Sequence, residues 1–357
     1  MSGTSLDAID VVIAQRTEQG LQQVAGIAPT MPDLLREQLL DICANKQVDL
    51  QTLGEVDHLF ALTCAEAVNQ LLKKANINAS QISAIGSHGQ TIFHSPLTAH
   101  PFTQQIGDAN IIAAKTGITC VSDFRRMDMA YGGQGAPLVP AFHQALFNKE
   151  NETRIILNIG GIANISILKA DKSVLGYDTG PGNMLMDAWV KKCLGHSFDK
   201  DACFAEQGKV HLPLLNQLLA EDYFALAPPK STGREKFNLA WLEKKLLSHD
   251  LDNADIQRTL LELTAITISD HITRHTNNAD VFVCGGGALN PLLMARLRSL
   301  MHSQNVQDTN AINVDPMFVE AIAFAWLAEQ RLLEKAIPLK TVTGATRDAI
   351  LGCVYLP

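Results

Sequence analysis

The chain has 357 residues, of which 46% are hydrophobic and 18% charged, and a formal net charge of −8. This is enough apolar material for a large interior, and a length that suggests two lobes. The acidic balance argues against a general nucleic-acid binder and against attraction to anionic lipid, yet leaves room for a phosphorylated ligand held by backbone N–H groups.

Strand-like and helix-like segments alternate through the chain, the pattern of an α/β fold. Residues 11–14 predict a strand after a turn of small polar residues, and the apolar spacing of residues 32–45 and 56–75 predicts helices. Residues 82–85 lead into the loop Gly86-Ser87-His88-Gly89-Gln90. Residues 118–121 form a short β-branched run that ends in Ser122-Asp123-Phe124-Arg125-Arg126. The turn formers of 131–137 mark the expected lobe boundary. This puts an N-terminal lobe at 1–128, joined by a C-terminal helix near 316–337, and a C-terminal lobe at 129–357. Within the second lobe, residues 154–159 predict a strand, Gly160-Gly161 a turn and 162–168 the returning strand. Residues 1–14 share with 158–168 a placing of Gly and small polar residues before a β-branched run. Either each lobe opens with a similar hairpin, or these are two ordinary hairpins. The last third reads as mostly helical. Residues 256–275 form an amphipathic helix, and another starts with Asp315 as N-cap and Pro316 at its first position, then runs to about 336.

The seven cysteines, Cys43, Cys64, Cys120, Cys193, Cys203, Cys284 and Cys353, are odd in number and widely spaced, without a C-x-x-C. Reduced thiols in a cytoplasmic protein fit this better than a disulfide frame or a zinc site. No signal peptide is expected from residues 1–7, and the most apolar helical stretch, 321–328, is too short to span a bilayer.

Three motifs could carry chemistry. In Val281-Phe282-Val283-Cys284-Gly285-Gly286-Gly287, a buried strand ends in three glycines, followed by Asn290 as N-cap and Pro291. Backbone stripped of side chains beside a helix start suits a nucleotide, and three glycines exceed what a tight turn requires. The segment Gly3-Thr4-Ser5-Leu6-Asp7-Ala8-Ile9-Asp10 could form a backbone N–H concavity for phosphate, or only a solvated turn. Asp178 stands just ahead of the bend Gly180-Pro181-Gly182, with a helix expected over 184–194. It could accept a proton from a nucleophile, or simply stabilise the turn. No G-x-x-x-x-G-K-[ST], G-x-S-x-G, H-E-x-x-H or complete G-x-G-x-x-G occurs. His88 and His94 flank a Gly-Gln-Thr loop, where either could touch a ligand.

Taken together and in order, Met-Ser-Gly-Thr-Ser-Leu-Asp at 1–7, Gly-Ser-His-Gly-Gln-Thr at 86–91, Ser-Asp-Phe-Arg-Arg at 122–126 and Gly-Gly-Gln-Gly-Ala-Pro-Leu at 132–138 resemble the anhydro-N-acetylmuramic acid kinases. So do Asn-Ile-Gly-Gly-Ile-Ala-Asn at 158–164, Asp-Thr-Gly-Pro-Gly-Asn at 178–183, Lys-Ser-Thr-Gly-Arg-Glu at 230–235 and Cys-Gly-Gly-Gly-Ala-Leu-Asn at 284–290. The resemblance implies a two-lobed actin/hexokinase/Hsp70-like (ribonuclease H-like) fold with an ATP cleft between the lobes. It implies a kinase of peptidoglycan recycling that uses ATP, Mg2+ and water to convert 1,6-anhydro-N-acetylmuramic acid to N-acetylmuramic acid 6-phosphate. By the same resemblance Asp178 is the general base, and residues 3–10 with Asn158, Gly160 and Gly161 hold phosphates. Gly285, Gly286 and Gly287 take the adenosine, and Gln90, Thr91, Asp123, Arg125 and Glu320 touch the sugar. A homodimer with no nucleic-acid or membrane partner is expected. The metal ligands are not assigned. A kinase for another sugar, or an ATP-binding homologue without turnover, are the alternatives. Two departures stand out: related chains usually carry a short strand ahead of Met-Ser-Gly-Thr, so that either the start lies further upstream or the strand is missing, which would weaken the N-lobe sheet; and Ala8 replaces the usual glycine.

Overall fold

The computed structural model describes every residue except 4, 5, 19, 45, 46, 150, 172 and 229. The described residues form the strands β1 (Val11–Thr17), β2 (Gly20–Ile27), β3 (Ile85–Gly86), β4 (Gln90–Ser95), β5 (Phe102–Ile106), β6 (Cys120–Ser122), β7 (Arg154–Ile159), β8 (Ile162–Leu168), β9 (Val174–Pro181), β10 (Asp280–Cys284), β11 (Asn305–Asp308) and β12 (Cys353–Tyr355). Helices lie between them, so the α/β reading stands. The chain divides into two compact units: residues 1–146 with 318–357, and residues 147–317.

This division falls later than the expected 128/129. The helix Val139–Phe147 stays with the first unit because Phe142, fully buried, packs against Trp326 with ring centroids 6.0 Å apart. The C-terminal helix belongs to this unit as well, but runs only over Val319–Leu332. Asp315 does not cap it. Its carboxylate instead accepts the N–H of Met317 at 2.9 Å, and the Pro316 carbonyl is taken by the N–H of Gly285.

In the first unit, the described residues among 1–10 contain no strand. The hairpin that follows is β1–β2, paired antiparallel, and its tip lies at the far end from residues 1–10. The expected likeness to the 158–168 hairpin is therefore limited to composition: in one case the glycines follow a strand, in the other they precede one. Leu6 (1% exposed) and Ile9 (2%) enter a core with Met31, Leu35, Leu39 and Phe60. A second, three-stranded sheet has the order β12-β6-β3. Gly86 in β3 sits against the helix Val319–Leu332 so closely that a Cβ built there would meet the carbonyl group of Phe324, its carbon at 2.6 Å. Backbone cannot swing aside as a side chain can. Gly86→Ala is expected to cost about 1–3 kcal/mol by overpacking, visible as a lower chemical-denaturation midpoint; an unchanged midpoint would show that this contact yields freely.

The second unit is built on a five-stranded sheet of order β11-β10-β7-β8-β9, in which β10 runs parallel to both β7 and β11 and the hairpins β7–β8 and β8–β9 are antiparallel. Alternation along the strands sends Ile155, Leu157, Ile159, Ala163, Ile165, Ile167 and Tyr177 into one apolar cluster, shared with Leu260, Leu263 and Ile268 of the helix Asn253–Thr273. Each such side chain contributes about 1.5–3 kcal/mol when fully buried, so the register of this sheet is strongly held.

Candidate active site

Strand register brings the second unit's candidates into one row. Cys284 pairs with Asn158, Asn158 with Asn164, and Asn164 with Asp178. Directly opposed residues project to the same face, here the face opposite the apolar cluster. Neighbouring strands are about 4.8 Å apart, which places Asp178 about 10 Å from Asn158. Asn164 therefore joins the site, although the sequence pointed to it only as part of a hairpin. A single residue's spacing does not reveal which strands lie side by side.

The glycine-rich turns close around the ends of β7 and β10. The N–H groups of Gly182 and Asn183 donate to the carbonyls of Gly161 (2.9 Å) and Gly160 (2.8 Å), and Asn183 Nδ2 donates to the Ile159 carbonyl at 3.1 Å. Thr264 Oγ1 holds the other side of the bend through the carbonyls of Pro181 and Gly182. Gly160 and Gly161 stay open: a Cβ on either would find its nearest heavy atom at 3.7 and 3.8 Å.

Gly285, Gly286 and Gly287 have distinct roles. Gly285 adopts φ +79°, and a Cβ there would lie 2.5 Å from Asn158 Oδ1 and 2.7 Å from the Ile159 carbonyl oxygen. A Cβ on Gly287 would overlap the Ile159 side chain. Both glycines thus allow the turn to pack onto β7. Gly286 is exposed, with only Asn183 Nδ2 at 3.6 Å from a built Cβ, so of these three it is the one with backbone open to a ligand. Asn290 caps the helix Pro291–Leu300, its Oδ1 accepting the Leu293 N–H at 2.9 Å, with Pro291 at the first position as the sequence implied.

Asp178 is held by three bonds from one segment. Its Oδ2 accepts the Thr232 N–H (3.0 Å), its carbonyl accepts the Tyr223 hydroxyl (2.8 Å), and its N–H donates to the Lys230 carbonyl (3.3 Å). Burial pushes its carboxyl up to about 6. The Thr232 N–H and the charge of Lys230 pull the other way, while Glu235 adds to the rise. A carboxylate tuned toward neutral pH, and still ionised at pH 7, is suited to take a proton.

In the first unit, Gly3 is open, with no heavy atom within 4 Å of a built Cβ. Thr4 and Ser5 lie outside the described residues. Leu6, at φ +57°, and Ile9 are core residues, so their side chains serve to anchor the segment. Asp7 pairs with Arg36 at 3.0 Å, Ala8 bridges to Thr30, and the Asp10 carbonyl accepts the N-terminal ammonium at 2.7 Å. Burial raises the Asp10 carboxyl, while the N-terminal charge lowers it.

Gln90 and Thr91 open β4. The Gln90 amide donates to the Thr91 carbonyl at 3.2 Å, and its buried Oε1 lacks a partner among the described residues. Thr91 Oγ1 accepts Gln105 Nε2 at 3.2 Å. Arg125 donates to His88 Nε2 and to the Gly135 carbonyl (2.8 Å). Burial lowers it to about 10, opposed by the charge of Glu320 on the helix Val319–Leu332. The same guanidinium, after burial, keeps His88 well below its usual range and therefore neutral. Asp123, at φ +60°, receives Arg126 Nε at 2.8 Å and the Cys353 thiol at 3.9 Å, and it lines a pocket with Asp57, Gln105, Gly107, Asp108 and Tyr355. Among the described residues no group of three or more His, Cys, Asp or Glu is placed to hold a metal ion, and no helix is long and apolar enough to cross a membrane.

The family profile for anhydro-N-acetylmuramic acid kinase matches residues 1–357. The kinase of that name from Pasteurella multocida is 52% identical, over 99% of this chain and 95% of the relative. That from Vibrio parahaemolyticus is 51% identical, over 99% and 96%. Among solved structures, ethanolamine utilization protein EutJ from Carboxydothermus hydrogenoformans aligns over 90% of this chain and 86% of its own, at 15% identity and a TM-score of 0.40.

Proposed function

Because this chain belongs to the anhydro-N-acetylmuramic acid kinase family, we propose that it converts 1,6-anhydro-N-acetylmuramic acid, ATP and water to N-acetylmuramic acid 6-phosphate and ADP, with Asp178 as the general base. The observation that carries the role of Asp178 is its environment: a desolvated carboxylate, fixed by the Thr232 N–H, in one row with Asn158 and Asn164 of the hairpin whose turn is Gly160-Gly161. In this reading Asp178 takes a proton from water as its oxygen bonds to C1. The C1–O6 bond breaks, O6 attacks the γ-phosphorus, and the bond to ADP breaks. Phosphoryl transfer depends on positioning and charge stabilisation. The backbone at Gly160, Gly161 and Gly286 supplies positioning for the nucleotide. Gln90, Thr91, Arg125, Glu320 and Asp123 are proposed to bind the sugar; of these, Asp123 is already engaged by Arg126.

Magnesium is commonly bound through one or two carboxylates and the substrate's phosphates, retaining several waters. The described residues, which lack a three-ligand cluster, fit a metal that arrives with the nucleotide, where it neutralises phosphate charge. The odd number and wide spacing of the cysteines, without a C-x-x-C, support a reducing cytoplasmic setting. The homodimer is kept as a proposal that sedimentation would test.

The test is ADP release with and without the anhydro sugar across pH, with the product checked by mass for added phosphate and added water. ADP release should depend on the sugar. Asp178 must be ionised to act, and its carboxyl titrates at about 6, so kcat/KM should be flat above that pH and fall tenfold per unit below it. Release stimulated only by a different amino sugar would reassign the substrate. An acid limb at the ordinary carboxylate value would separate Asp178 from the rate.

A further inference from the structure

The Lys-Ser-Thr-Gly-Arg-Glu motif at 230–235 lies against the open edge of β9, the outermost strand of its sheet. At Asp178 both backbone groups face outward from the sheet and find their partners in a single segment: the Tyr223 hydroxyl and the Lys230 carbonyl. Two residues on, Thr232 supplies the N–H that fixes the carboxylate. The Lys230 ammonium has protein partners. It turns back, donating to the Tyr223 carbonyl at 2.9 Å and to His271 Nε2 at 3.0 Å, and lies 4.3 Å from the centre of the Tyr223 ring.

The bonding pattern extends into the helix Asn253–Thr273. With His271 Nε2 accepting from an ammonium, its proton belongs on Nδ1, which faces the Tyr177 hydroxyl at 3.4 Å. Tyr177 in turn lies 2.8 Å from His275 Nε2. His271 is buried, and burial, with the neighbouring Lys230, Arg274 and His275, drives it down to about 4, so it stays a neutral acceptor. Tyr177 is the strand neighbour of Asp178 and faces the opposite side of β9.

We propose that Lys230 is a positioning residue for Asp178, tying itself and Tyr223 between β9 and His271 so that the Thr232 N–H meets the carboxylate. This rests on the reading of Asp178 as the base. The groups facing Asp178 are Thr232, Glu235, Lys230 and Tyr223. Those facing Lys230 are Tyr223, His271, Asp178 and Arg274, and burial followed by Arg274 brings its ammonium down to about 8. Near neutral pH the ammonium is mostly charged and the tie is in place.

The experiment compares kcat, the KM for ATP and the pH profile of the full chain carrying Lys230→Met, Lys230→Arg or Tyr223→Phe, with Asp178→Asn alongside. Lys230→Met should lose roughly 100-fold in kcat, the scale of a displaced catalytic group, with the KM for ATP unchanged. Its acid limb should rise, because both influences that lower the Asp178 carboxyl are weakened. Lys230→Arg should recover most of the loss. Tyr223→Phe, which keeps the charge and removes one hydroxyl, should lose on the order of tenfold in kcat. Parent kcat and an unmoved acid limb in Lys230→Met and Tyr223→Phe, even with a lowered melting temperature, would overturn the proposal. If Lys230→Met does not fold, Lys230→Gln decides in its place: parent kcat and an unmoved acid limb in that variant overturn the proposal. An inactive Asp178→Asn beside fully active Lys230→Met and Tyr223→Phe removes only the role of Lys230, whereas an active Asp178→Asn removes the base itself.

Discussion

Asp178→Asn should lower sugar-dependent ADP release by about 10²–10⁴-fold, the usual contribution of a positioned base, while ATP binding persists. The carboxamide is nearly isosteric, and its oxygen can still accept the Thr232 N–H. The contacts from Tyr223 and Lys230 reach only backbone atoms of residue 178 and are indifferent to the substitution. What disappears is the ability to take a proton. A turnover assay paired with nucleotide titration by calorimetry separates the two functions. Substantial sugar-dependent turnover by this variant would remove Asp178 from the mechanism; loss of nucleotide binding as well would mean that the substitution disturbs the turn rather than the chemistry.

A second large effect should distinguish two adjacent glycines. Gly287→Ala places a methyl group inside the contact with Ile159, whose Cβ would be 2.5 Å away. Ile159 is fully buried in the apolar cluster and has nowhere to go. Overpacking of this kind costs about 1–3 kcal/mol, enough to lower the unfolding midpoint by roughly 2–12 °C in a unit of this size. Gly286→Leu meets no such obstacle: the position is exposed, with only the Asn183 amide near a built Cβ. It should retain the parent midpoint yet raise the KM for ATP by roughly tenfold or more, about 1.4 kcal/mol of binding. Equal melting losses for both variants would mean that the turn packs as one piece, and a Gly286→Leu enzyme with parent KM would move the nucleotide elsewhere.

Much of the fold was legible locally. Apolar alternation at 154–159 and 162–168, broken by Gly160-Gly161, returns as β7 and β8 with those bounds. Asn290-Pro291 starts a helix, and 184–194 is helical, as the patterns required. The second helix begins at Leu50 rather than 56, because Asp49 caps it through the Thr52 N–H at 2.9 Å, a signal ahead of the first apolar repeat. Asp315 does not cap a helix because its carboxylate turns onto the Met317 N–H, ahead of the helix start at Val319. β12, three residues near the C-terminus, carries too little pattern to be read without its partner β6.

The amino-acid order by itself determined the α/β class, the glycine turns, the candidacy of Asp178 and the family, since these rest on short-range periodicity and on motifs whose succession survives without coordinates. Only the tertiary structure decided which strands are neighbours. That choice put Asn164 in the row with Asp178, gave Gly285 and Gly287 to packing and left Gly286 open, turned Leu6 and Ile9 inward, and laid Lys230 against His271. The physical reason is that pairing, burial and the tuning of a carboxylate depend on groups far apart along the chain. For Asp178 these are an N–H and a hydroxyl 54 and 45 residues away.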